Sequence, residues 1–463
     1  MRFSRFALCT AMSGAMGLAL ASCAPPLAKP DTQMTVHGYV PGQSVTASPL
    51  PAAWWEMFGN APLDALVQAG LAANPTIGEA QQNLVAAQQN AGAANGAFLP
   101  QIELNPPGNS VVSRQSYPTG PNGYPPYTLY SLTGAISYDP GLFGARKYTR
   151  ANGQALADYQ AAELDAARQS VAGNIVAAAI AEAGDAAQIA TTRQIIAAEQ
   201  KLLNLLQGEY ADGAIPQLNV LQQQSVILAT EASLPPLQTQ ADQQRDRLAI
   251  LTGQLPGDFA PPGIGLQDLA TPAQIPVALP TAYLADRPDL RAALAQVSAQ
   301  NAALGVAVAH LYPDFTLSAT GGYAAETVGS LFGTSSALWI LAGNLLAPIY
   351  EGGTLHAHEK AAQAQLQAAL FAYREAVLTA FGQAADALQA VQNDASALAQ
   401  AQAAARTSDA AYQLAAAQFK LGALDYTTVL TSQAAAAQAA LATTQARTNL
   451  LLDIANLQAV MAK

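Results

Sequence analysis

Two cysteines, the cluster His356, His358 and Glu359, and 31 carboxylates carry whatever acylation, metal-binding or acid–base chemistry this 463-residue chain can offer. On a helix, residues i and i+2 do not share a face, so His356 and His358 cannot converge on one ion. The cluster reads as solvated polar residues following Gly352-Gly353. No phosphate loop, nucleophile elbow or zinc spacing is present, and no carboxylate pair is set for proton transfer. An enzyme is therefore not expected, and no metal site is assigned. The net charge is −11 and only 11% of residues are charged, which excludes a nucleic-acid binder needing a basic face. With 51% apolar residues the chain is not a disordered one. Alanine is abundant and aromatics are only 6%. No uninterrupted apolar run of about 18 residues follows position 22, which argues against a polytopic helical membrane protein.

The N-terminus explains both cysteines. Residues 1–22 read as a secretory signal peptide, with Arg2 and Arg5 as its positive region and Phe6 to Leu20 as its apolar region. Leu20-Ala21-Ser22-Cys23 resembles the lipobox of bacterial lipoproteins, which implies that Cys23 is lipidated and becomes the first residue of the mature chain. Ala24 stands where lipoproteins retained in the inner membrane carry Asp, so the resemblance points to the outer membrane. Cys9 leaves with the signal, and the covalent lipid on Cys23 is the only prosthetic group expected. Loss of Arg2 and Arg5 takes the charge from −11 to −13. One lipidated terminus normally needs a second membrane signal for stable attachment.

Internal repetition organises the remainder. The run from Tyr210 through Gly213 to Val220-Leu221 aligns, without a gap, with Phe419 through Gly422 to Val429-Leu430 at an offset of 209. Leu99-Pro100 through Leu104 aligns with Tyr312-Pro313 through Leu317 at 213, and Pro140 and Gly144 align with Pro348 and Gly352 at 208. The expected organisation is a lipidated segment over 23–70, a first copy over 71–270 and a second over 271–463.

Each copy reads as helix, strand, strand, long helix, helix. In the first, a helix over 71–97 precedes strands within 101–138, separated by a Gly/Pro/Tyr-rich loop, then helices over 145–207 and 216–253. In the second, a helix over 288–310 precedes strands within 314–347, then helices over 354–419 and 425–461. A helix of about 63 residues spans roughly 95 Å at 1.5 Å per residue, which two shorter helices end to end can match. Leu218, Leu221, Ser225, Leu228 and Ala232 follow a 3-4-3-4 packing seam. Alanine at so many facing positions permits close approach, as in a thin-walled tube. Pro235-Pro236 should kink the helix containing it.

The strands alternate. Tyr130, Leu132, Gly134, Ile136 and Tyr138 line one face, and Leu129, Ser131, Thr133, Ala135 and Ser137 the other; Phe315, Leu317, Ala319 and Tyr323 repeat the pattern against Thr316, Ser318 and Thr320. An apolar face ending in Tyr, about ten residues long, suits a lipid-facing strand of an outer-membrane barrel. Four strands cannot close a barrel alone, and lipid tolerates no open sheet edge. Several chains must pool their strands, and three would give twelve.

On these residues the chain resembles the outer-membrane efflux proteins of the TolC-like type, in the NodT-type lipoprotein branch. The resemblance is carried by the lipobox, by Trp54-Trp55 and Phe58 ahead of Pro62-Leu63-Asp64, by Asn74-Pro75 and Arg287-Pro288-Asp289-Leu290 opening matching helices, and by the two Gly turns. It implies a mainly α protein with a transmembrane β part. Three chains would share one 12-stranded β-barrel joined to a long periplasmic α-helical barrel. It further implies a homotrimer that docks on a periplasmic adaptor protein and through it on an inner-membrane transporter, with outer-membrane lipid as its surroundings. The function implied is a passive exit duct for small molecules, with a protein-secretion duct or a non-channel coiled-coil lipoprotein as alternatives. Carried over residue by residue, Asp212-Gly213-Ala214 and Leu421-Gly422-Ala423 are adaptor-facing tips, although Asp212 departs from the hydrophobic residue usual there. Gln222 and Thr431 stand where relatives often place a constricting Asp. Asp425 is left as either a constriction carboxylate or the N-cap of the last helix.

Overall fold

The computed structural model describes residues 27–32, 51–105, 129–272, 277, 283 and 286–462. The signal segment, Cys23 and most of the Gly/Pro/Tyr-rich loop lie outside these residues. A short 3-10 turn, Trp54–Phe58, leads into α1 (Ala61–Ala73) and α2 (Pro75–Gly96), then β1 (Gln101–Asn105), β2 (Tyr130–Tyr138) and the long α3 (Ala145–Ala211). Next come α4 (Gln217–Glu231), α5 (Leu234–Leu251), α6 (Pro288–Ala309), β3 (Asp314–Ala325), β4 (Ala337–Leu346), the long α7 (Thr354–Lys420) and α8 (Tyr426–Met461). The two long helices have 67 residues each.

Three boundaries differ from the sequence reading, each for a local reason. The helix expected over 71–97 is two helices because Asn74 turns extended; its Oδ1 accepts from Thr76 N at 2.9 Å and its Nδ2 donates to Leu251 O at 2.8 Å. The helix expected over 216–253 is also two, broken at Ala232-Ser233 rather than kinked inside. Pro235 and Pro236 fall in the first turn of α5, where a missing N–H removes no intrahelical bond. The third concerns repeat alignment. Phe143 and Gly144 take left-handed backbones just before α3, at φ 56° and 96°, and Gly352 and Gly353 do so just before α7, at 62° and 84°. The counterpart of Gly144 is thus Gly353, at an offset of 209 and not 208.

The strands form one antiparallel sheet in the order β1-β2-β3-β4. Paired residues share a face, and the registers set Ile102 beside Ile136, Ile136 beside Ala319, and Ala319 beside Leu341. One face is apolar across all four strands; the other carries Gln101, Ser137 and Ser318 in one row. The apolar face is bare: Ile102, Trp339 and Leu341 are 77%, 81% and 71% exposed. Among the described residues, β1 and β4 each leave one edge without a partner.

Packing separates two compact units, each drawing on both sequence copies. The first holds Asn83–Ala161 and Ala292–Arg374; the second includes Ala162–Arg291 and Glu375–Lys463, and the division falls inside both long helices. Within the first, α3 lies close against α2 and α6. A Cβ on Gly153 would come within 3.0 Å of Ala91, and one on Gly305 within 2.4 Å of the Tyr148 ring. Asn152 Nδ2 donates to Ala299 O at 2.8 Å. α6 is long and apolar enough by composition to cross a bilayer, but these contacts make it a packed helix. In the second unit, Trp54, Phe58, Leu63, Ile175, Leu248 and Leu451 are buried. Along α3 and α8, Gln188 Nε2 donates to Gln445 Oε1 at 2.7 Å, and Thr448 fills the space a Cβ on Gly184 would need. Small residues at crossings bring backbones together where large ones would hold them apart.

The inward stripe of α4 is Val220, Gln223 and Ile227. The seam read from sequence is not the one that packs within the chain: Leu218, Leu221 and Leu228 are 60%, 52% and 65% exposed, and Ser225 and Ala232 are exposed with them. Both stripes have the same 3-4 spacing, so periodicity alone cannot say which one meets the neighbouring helix of the same chain.

Candidate functional site

The two helical tips are built alike. α3 ends with Gly213 N donating to Tyr210 O at 2.9 Å and Ala214 N to Glu209 O at 2.8 Å; α7 ends with Gly422 N donating to Phe419 O at 2.8 Å and Ala423 N to Gln418 O at 2.9 Å. Each is a Schellman pair, whose left-handed residue is best supplied by glycine, and both glycines have φ 72°. Asp212, Gly213, Ala214, Leu421, Gly422 and Ala423 are all exposed, Leu421 by 83%. Beneath the tips, Ile215 and Leu424 pack on an apolar cluster that includes Leu206, Val220, Phe419, Tyr426 and Val429. The tips thus offer small, rigid, solvent-facing backbone on a firm apolar base.

Asp425 is the N-cap of α8. Its Oδ1 accepts from Thr428 N at 2.9 Å and from Thr428 Oγ1 at 2.6 Å. Those two bonds, the hydroxyl's foremost, hold its carboxyl below the usual carboxylate range. Gln222 and Thr431 are exposed on the chain's surface; the Thr431 hydroxyl is turned back to donate to Thr428 O at 3.0 Å. A polar group in the interior is instead the neighbouring Gln223, which sequence reasoning passed over. Gln223 is wholly buried; its Oε1 accepts from the Tyr426 hydroxyl at 2.8 Å and its Nε2 donates to Glu199 O at 3.2 Å. It thereby ties α3, α4 and α8 together. Burial pushes the Tyr426 hydroxyl up to about 12. Burial also raises the Glu199 carboxyl, against a hydroxyl bond from Thr230 at 3.0 Å that lowers it. The available signal was the stripe itself, in which Gln223 occupies an apolar position between Val220 and Ile227.

Arg287, which precedes α6, is a second polar centre. Its Nε donates to Asp289 Oδ1 at 2.7 Å, one terminal nitrogen to Gln383 Oε1 at 2.7 Å, and the other to Val460 O at 3.3 Å and to the Tyr283 hydroxyl. The side chain is only 12% exposed. It joins the start of α6 to α7 and α8, which is a positioning role. His356 and Glu359 form an exposed i,i+3 contact at 3.3 Å without His358. Among the described residues no three metal-ligating side chains converge.

The sequence matches the family described as outer membrane efflux protein over residues 66–254 and 279–463. It is 28% identical to the pyoverdine export outer membrane protein OpmQ of Pseudomonas putida, over 92% of this chain and 91% of that one. It is 25% identical to nodulation protein T of Rhizobium leguminosarum bv. trifolii, over 85% and 83%. Among solved structures, the outer-membrane channel OprN superposes with a TM-score of 0.87 at 24% identity, covering 95% of this chain and 99% of OprN. The Campylobacter jejuni CmeC channel superposes at 0.83 and 19% identity, covering 95% and 94%.

Proposed function

This chain belongs to the outer membrane efflux protein family, and we propose that three copies of it form the passive exit duct of a tripartite efflux pump. It is an outer-membrane efflux channel protein and not an enzyme. One observation carries the oligomeric part of the reading: a sheet with a bare apolar face and, among the described residues, two unpaired edges, joined directly to two 67-residue helices. A sheet immersed in lipid must close, since unpaired backbone groups find no water there. Three copies supply twelve strands, within the range of outer-membrane barrels. The exposed stripe Leu218, Leu221 and Leu228 gives the helices an apolar seam for a neighbouring copy.

Adaptor binding is assigned to the two Schellman tips, and the inner-membrane transporter supplies the energy. Cys23, acylated, adds a lipid anchor. Because Asp425 already caps α8, a constriction at that level would come from a ring of three capped carboxylates, with Gln222 and Thr431 as neutral neighbours. Small molecules such as drugs or toxic compounds are the cargo class, in keeping with the pyoverdine export, antibiotic efflux and toluene efflux proteins among its relatives. Single-channel recording of the purified protein in planar bilayers tests the reading. Discrete conductance with cation preference in a salt gradient is expected from the −13 mature charge. A protein that inserts but never conducts refutes the duct, and an anion-selective reversal potential refutes the charge argument.

A further inference from the structure

Charge is distributed unevenly along this acidic chain. Arg146, Lys147 and Arg150 put three cations into the first two turns of α3, in a mature protein of net charge −13. Arg146 and Arg150 are four residues apart and Lys147 and Arg150 three apart, so the three share one patch of helix surface. Lys147 and Arg150 are exposed and Arg146 is half-buried. Among the described residues the ion pairs go to Arg168, Arg245, Arg287, Arg291 and His356, and none to these three.

The patch does not serve the helix that carries it. Like charges at these spacings repel, and cations near a helix N-terminus oppose its dipole. The repeated fold does not require them either. At the offset of 209 that relates the starts of the two long helices, α7 carries Leu355, His356 and Glu359, and His356 pairs with Glu359 at 3.3 Å. One backbone thus accepts both sets, and only the first copy concentrates positive charge there.

The depth of the patch is set by the strand before it. β2 ends at Tyr138, the last residue of its apolar face. Residues 139–144 then fold into a tight elbow. Phe143 stacks on Tyr312, and a Cβ on Gly141 would come within 2.6 Å of the Arg146 Cβ and 2.8 Å of the Phe98 ring. The acid of the elbow, Asp139, accepts from Gly141 N at 2.7 Å. Arg146 therefore packs directly on the elbow, and Arg150 follows about 6 Å further along the helix axis. The headgroup layer of a bilayer is about 5–8 Å thick on each side of the hydrocarbon. With the apolar face in hydrocarbon, the three cations fall in the headgroup layer on the helical side.

We infer that Arg146, Lys147 and Arg150 form a binding surface for an anionic phospholipid headgroup, one per copy, in the leaflet that faces the helices. Guanidinium and ammonium groups match phosphate oxygens, and the apolar sheet face continues the surface into the acyl chains. No carboxylate among the described residues neutralises the patch. The inference rests on the reading that the sheet is immersed in lipid, and it adds which lipid charge is selected and by which residues.

Native mass spectrometry of the purified full chain, titrated with phosphatidylglycerol or phosphatidylcholine of identical acyl chains, tests it. Preferential retention of about one phosphatidylglycerol per chain is expected. At low salt the preference should fall roughly fivefold in Arg150→Gln and about a hundredfold when Arg146, Lys147 and Arg150 are all changed to Gln. Lys201→Gln, an equal charge change far along α3 at an exposed position, should leave it unaltered. Equal retention of the two lipids, or an undiminished preference in both Gln variants, overturns the inference. Displacement of phosphatidylglycerol by equimolar inorganic phosphate overturns it too, by revealing a free-anion site. Reversal potentials in planar bilayers give a second readout: variants that change ion selectivity but keep the lipid preference put the cations on the inner wall of the duct, which also overturns it. An unsubstituted chain that enters no bilayer overturns the lipid-immersed reading as well.

Discussion

Adding a methyl group at Gly422 has room but the wrong backbone. No atom lies within 4 Å of the place a Cβ would occupy, yet φ is +72°. Gly422→Ala therefore makes no clash and gains no contact; it adds the left-handed penalty of an L-residue, about 1 kcal/mol. Gly208 also faces open space, but it lies inside α3 with helical backbone. Gly208→Ala should stabilise the helix there by roughly 0.5–1 kcal/mol. The same chemical change thus has opposite signs a few residues from the two tips. At 1.4 kcal/mol per factor of ten, the tip at 422 should open about fivefold more often, and the helix around 208 about two- to fivefold less often. Native-state amide exchange reads this locally. The Ala423 amide, bonded to Gln418 O, should exchange faster in Gly422→Ala, and the Asp212 amide, bonded to Gly208 O, slower in Gly208→Ala. Gly422→Val, β-branched, should exceed Gly422→Ala. Unchanged or slower exchange at Ala423 in Gly422→Ala would refute the left-handed cap. If the tip is the adaptor contact, the same variant keeps its conductance in bilayers and loses efflux in cells.

Three further outcomes follow from side chains. Phe143 holds a left-handed backbone through its stack on Tyr312, where the other copy uses Gly352. Phe143→Ala should lower thermal stability by about 1 kcal/mol because it keeps the strain and loses the stacking. Phe143→Gly, despite removing more of the side-chain bulk, should be the milder of the two, and the reverse order would refute the strain. Arg287→Lys keeps the charge but cannot reproduce the planar fork to Asp289, Gln383, Val460 O and Tyr283, so it should cost about 1–3 kcal/mol in thermal unfolding; a wild-type midpoint would show the fork to be idle. Glu199, whose folded carboxyl is raised mainly by burial, binds its proton more tightly folded than unfolded. Stability from this site is present below about pH 4.5 and falls as pH rises towards the raised folded value. Glu199→Gln should raise the melting temperature at pH 7 and leave it unchanged near pH 4; equal effects at both would sink this assignment.

Much of the path to these sites was legible because it rests on local rules. The turns at Gly213 and Gly422 were readable, and so was Asp425 as an N-cap candidate, since capping is decided within a few residues. The alternation of Tyr130–Tyr138 gave the lipid face for the same reason, side-chain period being fixed by the strand. The break at Asn74 was harder, because that residue also donates to Leu251, 177 positions away. Gln223 could not be separated from Gln222 by type or spacing; which of two adjacent glutamines is buried depends on the rotation of α4 against α3 and α8.

The sequence by itself determined the duplication, the long helices, the strand faces and the need for other copies to close the sheet. Each of these follows from periodicity, length or a count of strands, which belong to the chain whatever it touches. The tertiary structure decided phase and pairing. It turned Val220, Gln223 and Ile227 inward and left Leu218, Leu221 and Leu228 bare. It moved the repeat offset before the long helices to 209, gave Asp425's carboxyl to the helix cap, and left Ile349 and Tyr350 exposed. A repeat period survives any rotation of a helix or shift of a strand, so only the packed neighbours, which break that degeneracy, can select among them.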